Sequence, residues 1–424
     1  MERKIDPFMA AIIKSTADRR GASGALMASE YRNYQWGVPL PHLMLEYLFG
    51  LNVLPYPALI EMAGPPGSCK SAFLQYLLGV YAKQDFSAAM IETEGKMSST
   101  LLESILGDEA EKVFIMPGPL AQEEWQTELL QMLKQYRKFY AQSLKDYQKS
   151  KGKSPLMSPM LIGLDSLGGS PSNDSMATVD KEGSAGRSFP IEALKNKRFF
   201  EQVPTRLRDL PLTMIYTNHE KPEGMGEAKA FGPPGPKEHK SKGGITPAFF
   251  CGIRLFFEQA SKPQSQKKGT WQQNLSIEVG KNSFNQKGTK LILTMEWEKT
   301  VDKESNKELQ ETRFLWGKAL ARYLAPSVPG FNYDRDAVKK FLTVTYESDT
   351  KYSCKELDLK SAAPETVGAA IEARPDLVEQ LRPYMGIKSF NVWNGKPISE
   401  AIKVVEEVDL PDPKVDLIGE AAEE

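Results

Sequence analysis

The run Ala58-Leu59-Ile60-Glu61-Met62-Ala63-Gly64-Pro65-Pro66-Gly67-Ser68-Cys69-Lys70-Ser71, continued by AFLQYLLGVYA to Ala82, is apolar, then broken by Gly and Pro, then apolar at three-to-four spacing. That order predicts a strand, a loop and a helix. A loop so placed aims backbone N–H groups and a helix N-terminus at an anion, and a Lys-Ser pair at the helix start completes a phosphate cradle. Gly64, Pro65, Pro66, Gly67, Ser68, Cys69, Lys70, Ser71 and Ala72 are therefore the candidate nucleotide-binding residues. Lys70 is expected to reach phosphate oxygens and the Ser71 hydroxyl to ligate Mg²⁺, which makes ATP with magnesium the expected cofactor pair. Glycine is usual directly before the lysine of such a loop, and Cys69 stands there. The cradle can survive if Cys69 has helical dihedrals and its side chain points away.

Working outward, Ser87–Thr93, Lys112–Met116, Met160–Leu164, Leu212–Thr217, Cys251–Phe257, Leu275–Val279 and Lys290–Trp297 read as further strands. Between them, Ala121 to Ser150 places Trp125, Leu129, Met132, Leu133, Tyr136, Tyr140, Leu144 and Tyr147 on one helical face, ending in a basic, Pro-containing stretch. Strands alternating with helices predict an α/β fold with a mostly parallel central sheet flanked by helices. Asp165 closes the uniformly apolar run MLIGL, where a carboxylate can hold the metal shell opposite Ser71. Glu92 and Glu94 end another run, and one of them is the candidate for orienting attacking water. Alternation puts both on one side and does not choose between them.

Two segments, 170–188 and 219–244, lack any period and follow strands directly, as functional loops do. The first carries Met176, Lys181 and Arg187. The second carries Lys221, Met225, Lys229, Phe231, Lys237, Lys240, Lys242, Gly243 and Gly244, a mixture of phosphate partners, apolar wedges and close-approach glycines that suits DNA.

The chain has 424 residues with 54 Lys+Arg against 55 Asp+Glu and a net charge of −1, which excludes binding of polyanions through bulk charge and makes any nucleic-acid site local. Its 41% hydrophobic content excludes a wholly disordered chain. Cys69, Cys251 and Cys354 are far apart, without metal or disulfide spacing. The apolar run Phe8–Ile13 is too short for a signal segment or a membrane span, so a cytoplasmic protein is expected. Four units are expected. Residues 1–45 form an N-terminal helical, oligomerisation segment, 46–313 the ATPase core, 314–403 a mostly helical region and 404–424 an acidic tail, disordered.

Gly64–Ser71, IETEG at Ile91–Gly95, LIGLDSLGG at Leu161–Gly169, IYTNH at Ile215–His219 and KGGITPAFFCGIRLFF at Lys242–Phe257 occur in one order. In this the chain resembles the RecA-type DNA recombinases, and the bacteriophage UvsX branch in particular, over roughly residues 40–300. That branch also tolerates a bulky residue before the loop lysine. The resemblance implies a RecA-like core, with Glu94 as the catalytic glutamate and Glu92 secondary. It implies that His219 senses the γ-phosphate and that Lys281 reaches a neighbouring subunit's ATP. The family's next basic position is Ser283 here. It further implies DNA-dependent ATP hydrolysis, a helical homo-oligomeric filament on single-stranded DNA, pairing with homologous duplex DNA, and cooperation with single-strand-binding and loader proteins. Residence in a bacterial host's cytoplasm follows if the chain is phage-encoded. A ring-forming motor of the same fold, or a filament scaffold disabled by Cys69, are the rival readings.

Overall fold

The structure, a computed structural model, describes residues 11–12, 14–16, 35–174, 176, 191–220, 246–267, 269–285, 289–301, 308–325 and 341–397. Its strands are β1 (Trp36–Pro39), β2 (Val53–Tyr56), β3 (Ala58–Gly64), β4 (Ser87–Glu92), β5 (Val113–Met116), β6 (Met160–Asp165), β7 (Leu212–His219), β8 (Ile253–Gln259), β9 (Gln264–Lys267), β10 (Thr270–Asn282), β11 (Lys290–Val301), β12 (Glu308–Phe314), β13 (Val344–Ser348), β14 (Lys351–Cys354), β15 (Leu359–Ala362) and β16 (Asn391–Val392). The helices are α1 (Leu43–Phe49), α2 (Lys70–Ala82), α3 (Ser99–Leu106), α4 (Gln122–Lys149), α5 (Ile191–Leu207), α6 (Thr246–Phe250), α7 (Trp316–Leu324), α8 (Pro364–Glu372) and α9 (Pro375–Tyr384).

The central sheet has 10 strands in the order β12-β11-β10-β8-β3-β7-β6-β4-β5, with β9 on β10. From β8 to β5 the pairs are parallel. From β8 outward through β10, β11 and β12 they are antiparallel. The sheet is thus mixed. Its parallel half matches the expectation, and an antiparallel wing extends it.

Every residue of β3 is buried, as a strand covered on both faces must be. Alternation splits its side chains between two cores. Ile60 and Met62 join Phe73, Leu74, Leu77 and Tyr81 of α2 on one side. Leu59 joins Trp125, Leu129 and Tyr136 of α4 and Phe199 and Phe200 of α5 on the other. Phe73 meets Phe257 and Phe314 edge-on at 5.3 and 5.6 Å, which fixes α2, and with it the loop, against β8 and β12. Burying such a ring contributes about 2–3 kcal/mol.

Two expectations are corrected. Trp36–Pro39, inside the N-terminal segment expected to be helical, is a strand paired with β2. The region 314–403, expected to be mostly helical, also holds the antiparallel meander β13-β14-β15, packed beside α7 and α8. These strands are four or five residues long and half exposed, so they leave little apolar period to read. The acidic tail 404–424 lies outside the described residues. Among the described residues, no helix is long and apolar enough to cross a membrane.

Candidate nucleotide-binding site

The parallel register aligns strand ends, so Gly64 lies opposite His219 and Glu92 opposite Asp165. Polar side chains at the carboxyl ends of β3, β4, β6 and β7 therefore gather around residues 64–71, the usual ligand position of an open α/β sheet. Between β3 and α2 the chain forms a tight loop in which Ser68 Oγ donates to the Pro65 carbonyl at 2.8 Å. Lys70 folds back into this loop and donates to the carbonyls of Gly64 (2.8 Å) and Pro65 (2.9 Å) and to Ser68 Oγ (3.2 Å). Burial lowers the Lys70 pKa, against the opposing pull of Asp165 and other carboxylates. A buried ammonium held only by neutral oxygens is poised to exchange them for anionic ones.

Cys69 does not take right-handed helical dihedrals. It adopts φ 62° and ψ 23°. The chain reverses just before α2, and the left-handed region makes that reversal, at a cost of about 1–2 kcal/mol for a residue with a Cβ. Its thiol leans back on the Gly67 carbonyl at 3.7 Å, and burial pushes its pKa up to about 11, so it is no thiolate nucleophile. The departure from glycine therefore shows as backbone strain.

Asp165 is half-buried, and burial raises its pKa, while the hydroxyl of Thr217, which donates to its carboxylate, and that of Ser71 beside it oppose the rise. Ser71 and Asp165 are thus brought together as two hard oxygen donors, a set that fits Mg²⁺. The Asp165–Ser166 peptide is cis.

The two glutamates part company here. Glu92 is buried, and its carboxylate accepts the backbone N–H groups of Glu94 (3.0 Å), Gly95 (2.8 Å), Lys96 (3.2 Å) and Gly118 (3.1 Å). It ties two loops together and has little capacity left for anything else. Glu94 lies beyond the strand, where alternation no longer applies. It accepts from Ser166 Oγ at 2.5 Å, Lys96 Nζ at 3.0 Å and lies 3.1 Å from His219 Nε2. Burial works to raise its pKa, but these three donors outweigh it and hold the carboxyl at about 2. A Cβ on Gly169 would sit 2.4 Å from Glu94 Cγ, so only glycine lets the loop after β6 approach this closely.

His219 Nδ1 is buried with no hydrogen-bond partner among the described residues. Beneath it, Asn218 Nδ2 donates to Glu61 at 3.0 Å, and Arg254 Nε donates to the other Glu61 oxygen at 2.5 Å. Glu61 is fully buried, and the trio joins the strands on either side of β3. A buried ion pair of this kind costs about 3–5 kcal/mol when one partner is removed.

Lys281 is placed elsewhere. At the far end of β10 it donates to the carbonyls of Phe249 (2.7 Å) and Ala248 (3.4 Å) in α6, and its hydrogen bonds do not reach residues 64–71. Met176 is exposed. Lys181, Arg187, Lys221, Met225, Lys229, Phe231, Lys237, Lys240, Lys242, Gly243 and Gly244 lie outside the described residues. Both of their segments nonetheless leave neighbouring strands, β6 and β7, at the site's end of the sheet.

Sequence reasoning missed Ser166, Thr217, Lys96 and Gln273, whose amide reaches the Gly67 carbonyl at 3.4 Å. Ser166 and Thr217 adjoin residues already singled out, and that adjacency was the available signal. Gln273 comes from the antiparallel wing, and nothing local marks it. No family model matches the chain, and no curated protein is similar to it.

Proposed function

We propose that this chain is an ATP-dependent DNA recombinase of the RecA type, which assembles as a helical filament on single-stranded DNA and promotes homologous pairing and strand exchange. The observation that carries this reading is the convergence of Lys70, Ser71, Asp165, Glu94 and His219 at adjoining strand ends. The two segments proposed to touch DNA spring from those same strands.

ATP is the substrate of this reading. Ser71 and Asp165 would hold Mg²⁺, which when bound neutralises charge on the phosphates. Lys70 exchanges the carbonyls of Gly64 and Pro65 for phosphate oxygens. Glu94 orients a water and accepts its proton at the carboxylate. While Ser166, Lys96 and His219 all donate to it, Glu94 is too acidic to be an effective base, so donors must leave before it can act. His219 is one of them. Its departure toward a bound phosphate releases Glu94 and shifts the end of β7. Hydrolysis reverses that movement. Strand exchange needs no covalent chemistry on DNA, because base pairing selects the partner and the protein holds the backbone.

Negative-stain microscopy with ATP and single-stranded DNA, combined with a joint-molecule assay on homologous duplex, tests the reading. Open helical filaments with joint molecules are expected. Closed rings without joint molecules would replace it with a motor of the same fold.

A further inference from the structure

From its middle onward, α4 and the turn after it carry Lys134, Lys138, Lys145, Lys149, Lys151 and Lys153, all exposed. At about 100° per residue, the four on the helix fall within an arc of about 60° and span about 22 Å. They form one straight stripe. The opposite face is fixed in the core by Trp125, Leu129, Leu133, Tyr136, Tyr140 and Leu144. On its flank, Arg137 donates to the carbonyls of Arg206 (2.8 Å) and Arg208 (2.9 Å).

None of the six lysines has a carboxylate partner among the described residues, whereas Lys96, Lys112, Lys195 and Lys197 are all ion-paired. The one acid on the helix between Lys134 and Lys149, Asp146, lies about 100° round from Lys145 and about 60° from Lys149, and its carboxylate accepts from Gln142 at 3.0 Å; Asp209 lies on the Arg137 flank. Favourable interaction with the helix dipole accounts for lysines in the last turn only, and Lys134 and Lys138 lie well before it. In a chain of net charge −1, such a stripe is a local feature.

We infer that this stripe is an interaction surface for the phosphate backbone of duplex DNA, separate from the loops that follow β6 and β7. Its charge sign and straight, rigid spacing complement a phosphate chain, which positions without reading sequence. No aromatic side chain lies on the stripe. Phe139, exposed, points about 80° or more away from it, so the base-stacking platform that single strands require is missing from the stripe itself. At its end, an open depression lined by Ser143, Asp146, Lys149, Ser150, Ser154 and Pro155 adds hydroxyls beside Lys149. α4 runs toward the start of β6, so this end of the stripe faces away from residues 64–71.

The test is the salt dependence of binding of the full chain to a labelled duplex, followed by anisotropy, with Lys134, Lys138, Lys145 and Lys149 all changed to Gln. Glutamine keeps helix propensity, and circular dichroism confirms the fold. Each lost phosphate contact flattens the log–log salt slope by about 0.9, so a decrease of about 3–4 is expected, with duplex affinity at least tenfold lower at 100 mM salt. A control changes Lys290, Lys299, Lys351 and Lys360 to Gln, removing equal charge from other exposed positions. Unchanged duplex binding in the stripe variant overturns the proposal, as does an equal loss in the control. A loss confined to phosphatidylserine vesicles would assign the stripe to a lipid surface instead. ATP hydrolysis by the variant stays within about twofold of the parent. If neither protein hydrolyses ATP but the variant alone loses duplex, the surface stands and the recombinase reading falls.

Discussion

In the parallel half of the sheet, β3, β4, β6 and β7 are six to eight residues long and end side by side, delivering Lys70, Glu94, Asp165 and His219 to one place. In the antiparallel wing, β10 and β11 run for 13 and 12 residues and send only Gln273 to the loop. Parallel strands all finish at one edge, so their terminal side chains gather. Antiparallel strands finish at alternate edges, so β10 carries Gln273 to the loop of its own chain and Lys281 to α6. On the proposed reading, chemistry within one subunit belongs to the first half. Contact with a neighbouring subunit, on the proposed reading, belongs to the second.

The largest effect expected from this contrast separates two carboxylates on the same short segment. Glu94→Gln should lower kcat about 10²–10⁴-fold with the thermal midpoint preserved. Glu92→Gln, which weakens the bonds to four backbone N–H groups, should cost about 1–3 kcal/mol of stability, seen in chemical denaturation. Equal losses of activity at unchanged stability for both would break the distinction.

Asp165→Asn tests the same half of the sheet by pH. Burial raises the Asp165 pKa, so its contribution favours folding at low pH and is lost as pH rises through its folded value. At pH 7 the Asn variant should therefore be at least as stable as its parent, with Mg²⁺-dependent turnover abolished. Its stability advantage should shrink toward pH 4. Glu94 works in the opposite direction. With a folded pKa of about 2, its stabilisation is present above the ordinary carboxylate range and lost as pH falls toward 2. A variant Asp165→Asn that is less stable at pH 7 would contradict the sign.

In the wing, Lys281→Ala should reduce hydrolysis about tenfold only when DNA is present and subunits are assembled, leaving the basal rate of dilute protein unchanged. A reduced basal rate would place Lys281 in its own subunit's site. The smallest effect is Cys69→Gly. Relief of left-handed strain and the greater freedom of unfolded glycine nearly cancel, so stability should change by under about 1 kcal/mol, while nucleotide binding tightens about threefold. Looser binding would mean that the thiol's contact with Gly67 organises the loop.

Much of the parallel half was legible because its signals are local. Gly64 to Ser71 sits between a run apolar throughout and a helical period, and Asp165 closes an equally apolar run. The choice between Glu92 and Glu94 was not legible, because it rests on where β4 stops and on a loop from Gly118 that supplies one of four donors. The strain at Cys69 was hidden for the same reason, since dihedrals follow from how the loop meets α2. The Glu61–Asn218–Arg254 trio depends on which strands flank β3, and Gln273 on β10 lying beside β8, both matters of topology. β13, β14 and β15 escaped because half-exposed strands of this length carry no apolar pattern.

The most direct test of the central claim is steady-state ATP hydrolysis by the purified chain, with and without single-stranded DNA, beside Lys70→Ala. The account predicts hydrolysis that single-stranded DNA stimulates at least tenfold and that the variant lacks under both conditions. Turnover that persists in Lys70→Ala, or parent protein that binds DNA without hydrolysing ATP, would contradict it.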